Sequence, residues 1–281
     1  MKKILALVLA AILLCGSVFA LAACSKGDPS KQLVVATNAN FAPFEYKEGS
    51  KFAGIDMEIA KHIADTLGLE IVIEDMDFDA VVTSVGKNNV DVAMAGLTVN
   101  EKRKESVNFT TSYYNAAQML IVPASCTDFD ACTTADDVLA KLAELKGNAD
   151  IEIGVQSGTT GQYYVDGDAD WGFDGIDGYK SKGYQNGGLA VNDMKNNAVK
   201  YVMIDEQPAK QLAKAITGIK VIDIPLTEEE YAFGVDKAQP ELLAQINDIL
   251  AAMKTDGTLD AIITAYATGE GIKPITSATK K

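Results

Sequence analysis

The sequence predicts an α/β protein built from two similar halves. Short apolar runs alternate with amphipathic helical stretches, the pattern of parallel strands joined by crossover helices. This pattern restarts after Pro123, which gives two halves of roughly 100 residues each. The chain has 281 residues, 48% apolar and 23% charged, so it is globular and long enough to bury a sizeable core.

In the first half, Leu33-Val34-Val35-Ala36-Thr37 reads as a buried strand ended by Asn38-Ala39-Asn40. Gly54-Ile55-Asp56 opens a helix in which Ile55, Ile59, Ile63 and Leu67 recur at every fourth position, with Gly68 as its stop. Ile71-Val72-Ile73 is a second strand, residues 79–85 form a helix with Val81, Val82 and Val85 inward, and residues 90–94 form a third strand. In the second half, residues 136–146 form an amphipathic helix through Val138, Leu139, Leu142 and Leu145. Residues 151–155 make a strand, followed by the turn Ser157-Gly158-Thr159-Thr160-Gly161. A strand over 199–204, a helix over 208–216 and a strand over 219–224 come next. A long apolar stripe then runs over 240–254, Gly257 stops that helix, and a last helix covers 259–266.

A formal charge of −14 argues against a phosphate-backbone partner, so no nucleic acid is expected. The single histidine, His62, excludes any metal site with two His ligands and any second His-based nucleophilic centre. It lies on the flank of the first helix, away from the strand-end loops, and reads as a boundary residue. Neither metal nor cofactor is expected. Asp166, Asp168 and Asp170 alternate like the start of a calcium loop, but Trp171 stands where that loop needs Gly, so a solvated acidic loop is the reading.

Lys2-Lys3 followed by an apolar run over 4–14 reads as a secretory signal. Leu21-Ala22-Ala23-Cys24 resembles the lipobox of bacterial lipoproteins. Residues 1–23 are therefore expected to be removed, Cys24 lipidated, and residues 24–31 left as a polar tether outside the cytosol. In that compartment Cys126 and Cys132, six residues apart, are expected to form a local disulfide worth about 2 kcal/mol at best.

Ligands of open α/β sheets sit beyond the carboxyl ends of strands, so the loops after Thr37, Met94, Val155 and Ile204 hold the candidates. Gly96 lets backbone approach a ligand, Thr98 offers a hydroxyl, and Arg103 offers a planar fork for a carboxylate. Residues 100–104 on their own also read as a solvated helix start. Asp205 is either a helix N-cap or a counter-ion for an ammonium group. Together, Arg103, Thr98 and Thr160 facing Asp205, Gly96 and the Thr98 hydroxyl complement an α-amino-acid zwitterion.

These fragments, in order, resemble the bacterial extracellular solute-binding proteins of family 3, the polar amino-acid-binding proteins of ABC importers. The resemblance spans residues 32–270. It rests on Asn40-Phe41-Ala42-Pro43-Phe44-Glu45-Tyr46, Gly54-Ile55-Asp56, Met76-Asp77-Phe78-Asp79-Ala80, Ala95-Gly96-Leu97-Thr98 with Glu101-Lys102-Arg103, Gln156-Ser157-Gly158-Thr159-Thr160, Ile204-Asp205 and Phe233-Gly234-Val235. It implies a two-lobed clamshell of the type 2 periplasmic-binding-protein kind, with parallel-rich sheets, helices on both faces and two hinge crossings. Lobe 1 would hold 32–123 and 226–281, and lobe 2 would hold 124–225, with crossings near 121–124 and 224–227. The resemblance assigns the α-carboxylate to Arg103, Thr98 and Thr160, the α-ammonium to Asp205, and the side chain to Phe41 and Phe78, with Ala95, Gly96 and Thr159 in the same loops. Asn38 and Gln156 match positions that read the side-chain end. Where some glutamine-preferring relatives carry Asp and Lys, this chain has two amides, so a neutral polar amino acid is the mild preference. The implied partners are a free amino acid and a membrane permease with its cytoplasmic ATPase, with the binding protein itself a monomer. Alternatives on the same fold are an enzyme, dehydratase-like or acting on cell wall, and an amino-acid-sensing receptor component.

Overall fold

Two five-stranded sheets organise residues 32–280 of the computed structural model, which describes residues 29–87, 90–146 and 151–280. The leader, Cys24 and all but the end of the tether lie outside the described residues. Residues 29–31, which group apart from that unit, form one 3-10 turn. Among the described residues, no helix is long and apolar enough to cross a membrane.

In the first sheet the strand order is Glu70–Asp75, Gln32–Thr37, Val92–Ala93, Gly234–Asp236, Val107–Phe109. The first three strands run parallel, and Gly234–Asp236 is antiparallel to both of its neighbours. The second sheet repeats this plan with Tyr179–Tyr184, Ile151–Gln156, Tyr201–Asp205, Gln118–Pro123 and Ile219–Ile222. Again three strands are parallel and the fourth is antiparallel to both sides. In each sheet a strand from a distant stretch of chain is inserted beside the third parallel one: the returning Gly234–Asp236 in the first and the entering Gln118–Pro123 in the second.

Helix Ile55–Leu67 shows how the sequence specifies its local structure. Its apolar stripe buries Ile55, Ile59 and Ile63 completely or nearly so. Gly68 ends the helix with a left-handed φ of 69° while its N–H donates back to the last turn. Gly54 precedes it at φ 133°, where a Cβ would sit 1.9 Å from the Phe44 carbonyl oxygen. Only glycine fits that crossing of chains. His62 is half-buried on this helix.

Two expectations need correction. Residues 118–123 belong to the second sheet, where Leu120 pairs with Met203 and Ile222. The chain therefore leaves the first lobe between Ala116 and Gln118 and returns between Leu226 and Glu229, where Gln118 and Leu226–Thr227 hydrogen-bond. The disulfide is absent: Cys126 and Cys132 are both free thiols. Each sits in its own turn, Cys126 N–H on Pro123 O and Cys132 N–H on Phe129 O. Phe129 between them is buried in the core of the second lobe, and the Cys126 thiol is directed to Asp128 instead.

Candidate functional site

The carboxyl ends of the two parallel sets face each other, and the loops that follow them meet. Phe41, Phe78, Gly96, Thr98 and Arg103 from the first lobe and Thr159, Thr160 and Asp205 from the second line one narrow cavity of about 10 Å³. All eight are residues the sequence singled out.

Arg103 lies in the short helix Glu101–Lys104, capped by Asn100 Oδ1 on the Arg103 N–H. Glu101, Lys102 and Lys104 are exposed, while Arg103 is only 7% exposed. The solvated-helix reading thus holds for its neighbours and fails for Arg103. Its Nη1 donates to Thr98 O at 2.8 Å and Nη2 to Gly158 O at 3.3 Å, so both lobes hold the guanidinium. Burial lowers its pKa to about 10 against the opposing pull of Glu229 and Asp205, which leaves it cationic at neutral pH.

Asp205 stands at the N-cap of helix Glu206–Ala215 but makes no side-chain cap. Instead its Oδ1 accepts the Tyr231 hydroxyl at 2.5 Å. Burial first, and the Glu229 charge second, push its carboxyl up to about 7. Glu229 was not anticipated. Its carboxylate accepts Thr98 Oγ1 at 2.6 Å, Thr227 Oγ1 at 2.6 Å and Gln118 Nε2 at 3.0 Å. Thr160 Oγ1 in turn donates to Thr98 Oγ1 at 3.0 Å. With its proton committed to Glu229, the Thr98 hydroxyl has only lone pairs to offer, which suits an ammonium rather than a carboxylate.

Gly96 has φ 54°, and a Cβ there would lie 3.0 Å from the Phe41 ring. Its N–H donates to Asp56 Oδ2 at 2.9 Å, and Tyr113 donates to Asp56 Oδ1. Burial pushes Asp56 up to about 7, against those two hydrogen bonds. The Phe78 ring lies 5.4 Å from Arg103 Cζ.

Three predicted residues do not line the cavity. Ala95 is buried in the core of the first lobe. Asn38 and Gln156, one from each lobe, bond to each other. Their amide orientation follows from a fixed starting point, because the Met76 carbonyl can only accept. Asn38 must therefore turn Nδ2 toward it, at 2.7 Å. Asn38 Oδ1 then accepts, Gln156 must present Nε2 at 3.0 Å, and Gln156 Oε1 is left buried without a donor.

The family model for bacterial extracellular solute-binding proteins, family 3, matches residues 33–269. The chain belongs to this family. This solute-binding protein is 28% identical over 277 residues to the arginine-binding extracellular protein ArtP of Bacillus subtilis (strain 168), covering 96% of this chain and all of that one. Its fold matches the crystal structure of AbpA, an amino acid ABC transporter substrate-binding protein from Streptococcus pneumoniae bound to L-arginine. The TM-score is 0.71 at 27% identity, over 84% of this chain and 94% of that one. It also matches the ancestral amino acid-binding protein AncCDT-1, described as a precursor of cyclohexadienyl dehydratase. There the TM-score is 0.71 at 25% identity, over 84% of this chain and 96% of that one.

Sequence reasoning missed Glu229, Gln118 and Tyr231. A period-2 reading of Glu229-Glu230-Tyr231 would have found two of them, since the strand buries the outer two and exposes Glu230.

Proposed function

We propose that this chain is an extracytoplasmic, lipid-anchored binding protein that captures an α-amino acid between its lobes and delivers it to the permease of an ABC importer. The observation that carries this reading is the pairing of a buried guanidinium, Arg103, with a buried carboxylate, Asp205, on the wall of one cavity. Arg103 takes the α-carboxylate. Asp205 takes the α-ammonium together with the Thr98 hydroxyl, and Phe41 and Phe78 bracket the side chain. The cavity has room for about one water molecule, so an amino acid gains access only when the lobes part.

A ligand side chain ending in an N–H donor is favoured. Gln156 Oε1 lies outside the lining of the closed cavity and is a buried acceptor without a donor, so a ligand that reaches it must bring an N–H, since leaving it unmet costs about 1–3 kcal/mol. Amide and cationic side chains satisfy it, and a carboxylate does not. This widens the neutral-polar preference to include cations, in keeping with the arginine named for ArtP and AbpA.

The dehydratase-like reading has less support. Glu45 and Asp56 are wholly buried and absent from the cavity lining, and Asp205, the carboxyl that does line it, is assigned to the α-ammonium. Every group that does line the cavity binds or packs. Delivery to a permease rests on family membership.

A thermal-shift screen against the protein amino acids, cystine and ornithine tests the proposal, on protein freed of ligand by unfolding and refolding. A ligand at 100 times its Kd adds about 2.7 kcal/mol and raises the melting temperature by roughly 5–10 °C. The shift is expected for amide or cationic amino acids and is lost in Arg103→Ala. No shift across the panel refutes amino-acid binding.

A further inference from the structure

Residues 166–178 depart from regular periodicity, yet they form a built loop. Asp168 Oδ1 accepts the N–H groups of Asp170 and Trp171, at 2.9 and 3.3 Å. Asp168 and Phe173 pair as an antiparallel bridge. Ile176 N–H donates to Val165 O, and the Phe173 ring meets Tyr164 edge-on at 5.3 Å. The loop is thus closed on itself by Asp168 and tied to helix Thr160–Asp166 through Phe173 and Ile176, with Trp171 inside the turn between Asp168 and Phe173.

The Trp171 ring stacks on Tyr163, with centroids 4.2 Å apart and planes 19° apart. Across the cleft, Arg103 Cζ lies over Trp171 at 4.9 Å, closer than its 5.4 Å to Phe78. The guanidinium therefore meets one aromatic ring from each lobe. Phe78 and Arg103 share a lobe, so that contact persists in any lobe arrangement. The Trp171 contact crosses between lobes and exists only while they are together. Lys102 and Asp170, 3.5 Å apart, cross the cleft beside it, but both are exposed and contribute little.

We propose that Trp171 is a positioning residue for ligand retention: braced by Tyr163, it covers the Arg103 guanidinium on closure and holds the carboxylate clamp shut. The physical basis is a cation over an aromatic face in a desolvated cleft. A contact made only in the closed form shifts the open–closed balance toward closure and slows release, while association through the open form is unaffected. This inference rests on the amino-acid-binding reading.

The test compares wild type, W171F and W171A by calorimetry for Kd and by rapid filtration of radiolabelled amino acid for release. W171A is expected to bind about tenfold more weakly, with the loss in the release rate and the association rate within about twofold of wild type. W171F, which keeps an aromatic face, is expected to recover most of the affinity. A W171A protein that binds and releases like wild type overturns the proposal, as does a W171F protein as impaired as W171A.

Should W171A fail to fold, wild type alone decides the matter, because Trp171 is the sole tryptophan. Acrylamide quenching of its fluorescence should fall when ligand is added, and unchanged quenching overturns the inference. Calorimetric heat with unchanged quenching removes the Trp171 role and leaves amino-acid binding standing. No heat across the panel removes both.

Discussion

Ligand affinity should depend on pH through Asp205, and the sign follows from the site. In the closed form without ligand, burial and the Glu229 charge push this carboxyl up to about 7, so below that pH it carries a proton. A ligand ammonium against Asp205 favours the ionised form, and binding at lower pH must expel the proton. Affinity therefore sits on a plateau above about pH 7 and falls about tenfold per pH unit beneath it. At pH 5, two units down, binding is expected to be about 100-fold weaker, or about 2.7 kcal/mol. Arg103, at about 10, stays cationic throughout, and an amino acid with an uncharged side chain keeps its charge over pH 5–7.5. Calorimetry across that range, in buffers of differing ionisation enthalpy, reads both Kd and the protons released. Near pH 5.5 about one proton per ligand should be released. Asp205→Asn should bind weakly and show no slope. A wild-type Kd that is flat between pH 5 and 7.5, or an Asp205→Asn protein that keeps the slope, would refute the assignment of the ammonium to Asp205.

Three further outcomes are expected. Gln156→Glu replaces the amide that donates to Asn38 Oδ1 with a charged acceptor, so cationic amino acids should gain about tenfold over amides in paired titrations; an unchanged ratio would separate Gln156 from the ligand side chain. Asp56, raised from 3.8 to about 7, makes the folded protein bind a proton that the unfolded chain lacks between those values. Its contribution is full below pH 4 and lost as pH rises through 7, by up to about 4 kcal/mol. Asp56→Asn should flatten the stability curve over pH 4–7 in urea titrations, and a parallel curve would count against the raised value. Gly54→Ala places a Cβ 1.9 Å from Phe44 O at φ 133° and should lower the melting temperature by at least about 8 °C; a shift of a degree or two in calorimetry would mean that the loop yields.

Local patterns carried most of the fold because they report local physics. The stripe Ile55, Ile59, Ile63 and the glycines at 68 and 257 gave helix limits that match the structure within a residue or two. The point where the chain changes lobe was not legible. The run 118–123 is equally apolar whichever sheet it joins, and only its pairing with Tyr201–Asp205 decides. Strands such as Val107–Phe109 and Tyr114–Ala116 are three residues long, too short for any period to register. At the site, residues next to strand ends were legible because topology brings strand ends together. Glu229 hid in an acidic run, and Trp171 in a loop whose placement depends on Asp168 capping its own backbone. Cys126 and Cys132 misled because spacing says nothing about the buried Phe129 that separates their turns.

The charges of the cleft give the proposed function a reason for closing and binding to be coupled. Glu229 is met by three donors and Asp205 by Tyr231. Arg103 differs, because its two hydrogen bonds go to carbonyls and it forms no ion pair among the described residues. With the lobes together the guanidinium is only 7% exposed and feels Glu229 and Asp205 only at a distance, and burying a charge without a contacting partner is unfavourable by several kcal/mol. In the proposed binding mode a ligand carboxylate would remove that penalty only in the closed form, where Gly158 and Trp171 flank the guanidinium. The ligand would then favour closed over open, and this difference, not affinity as such, is what would allow it to shut the lobes.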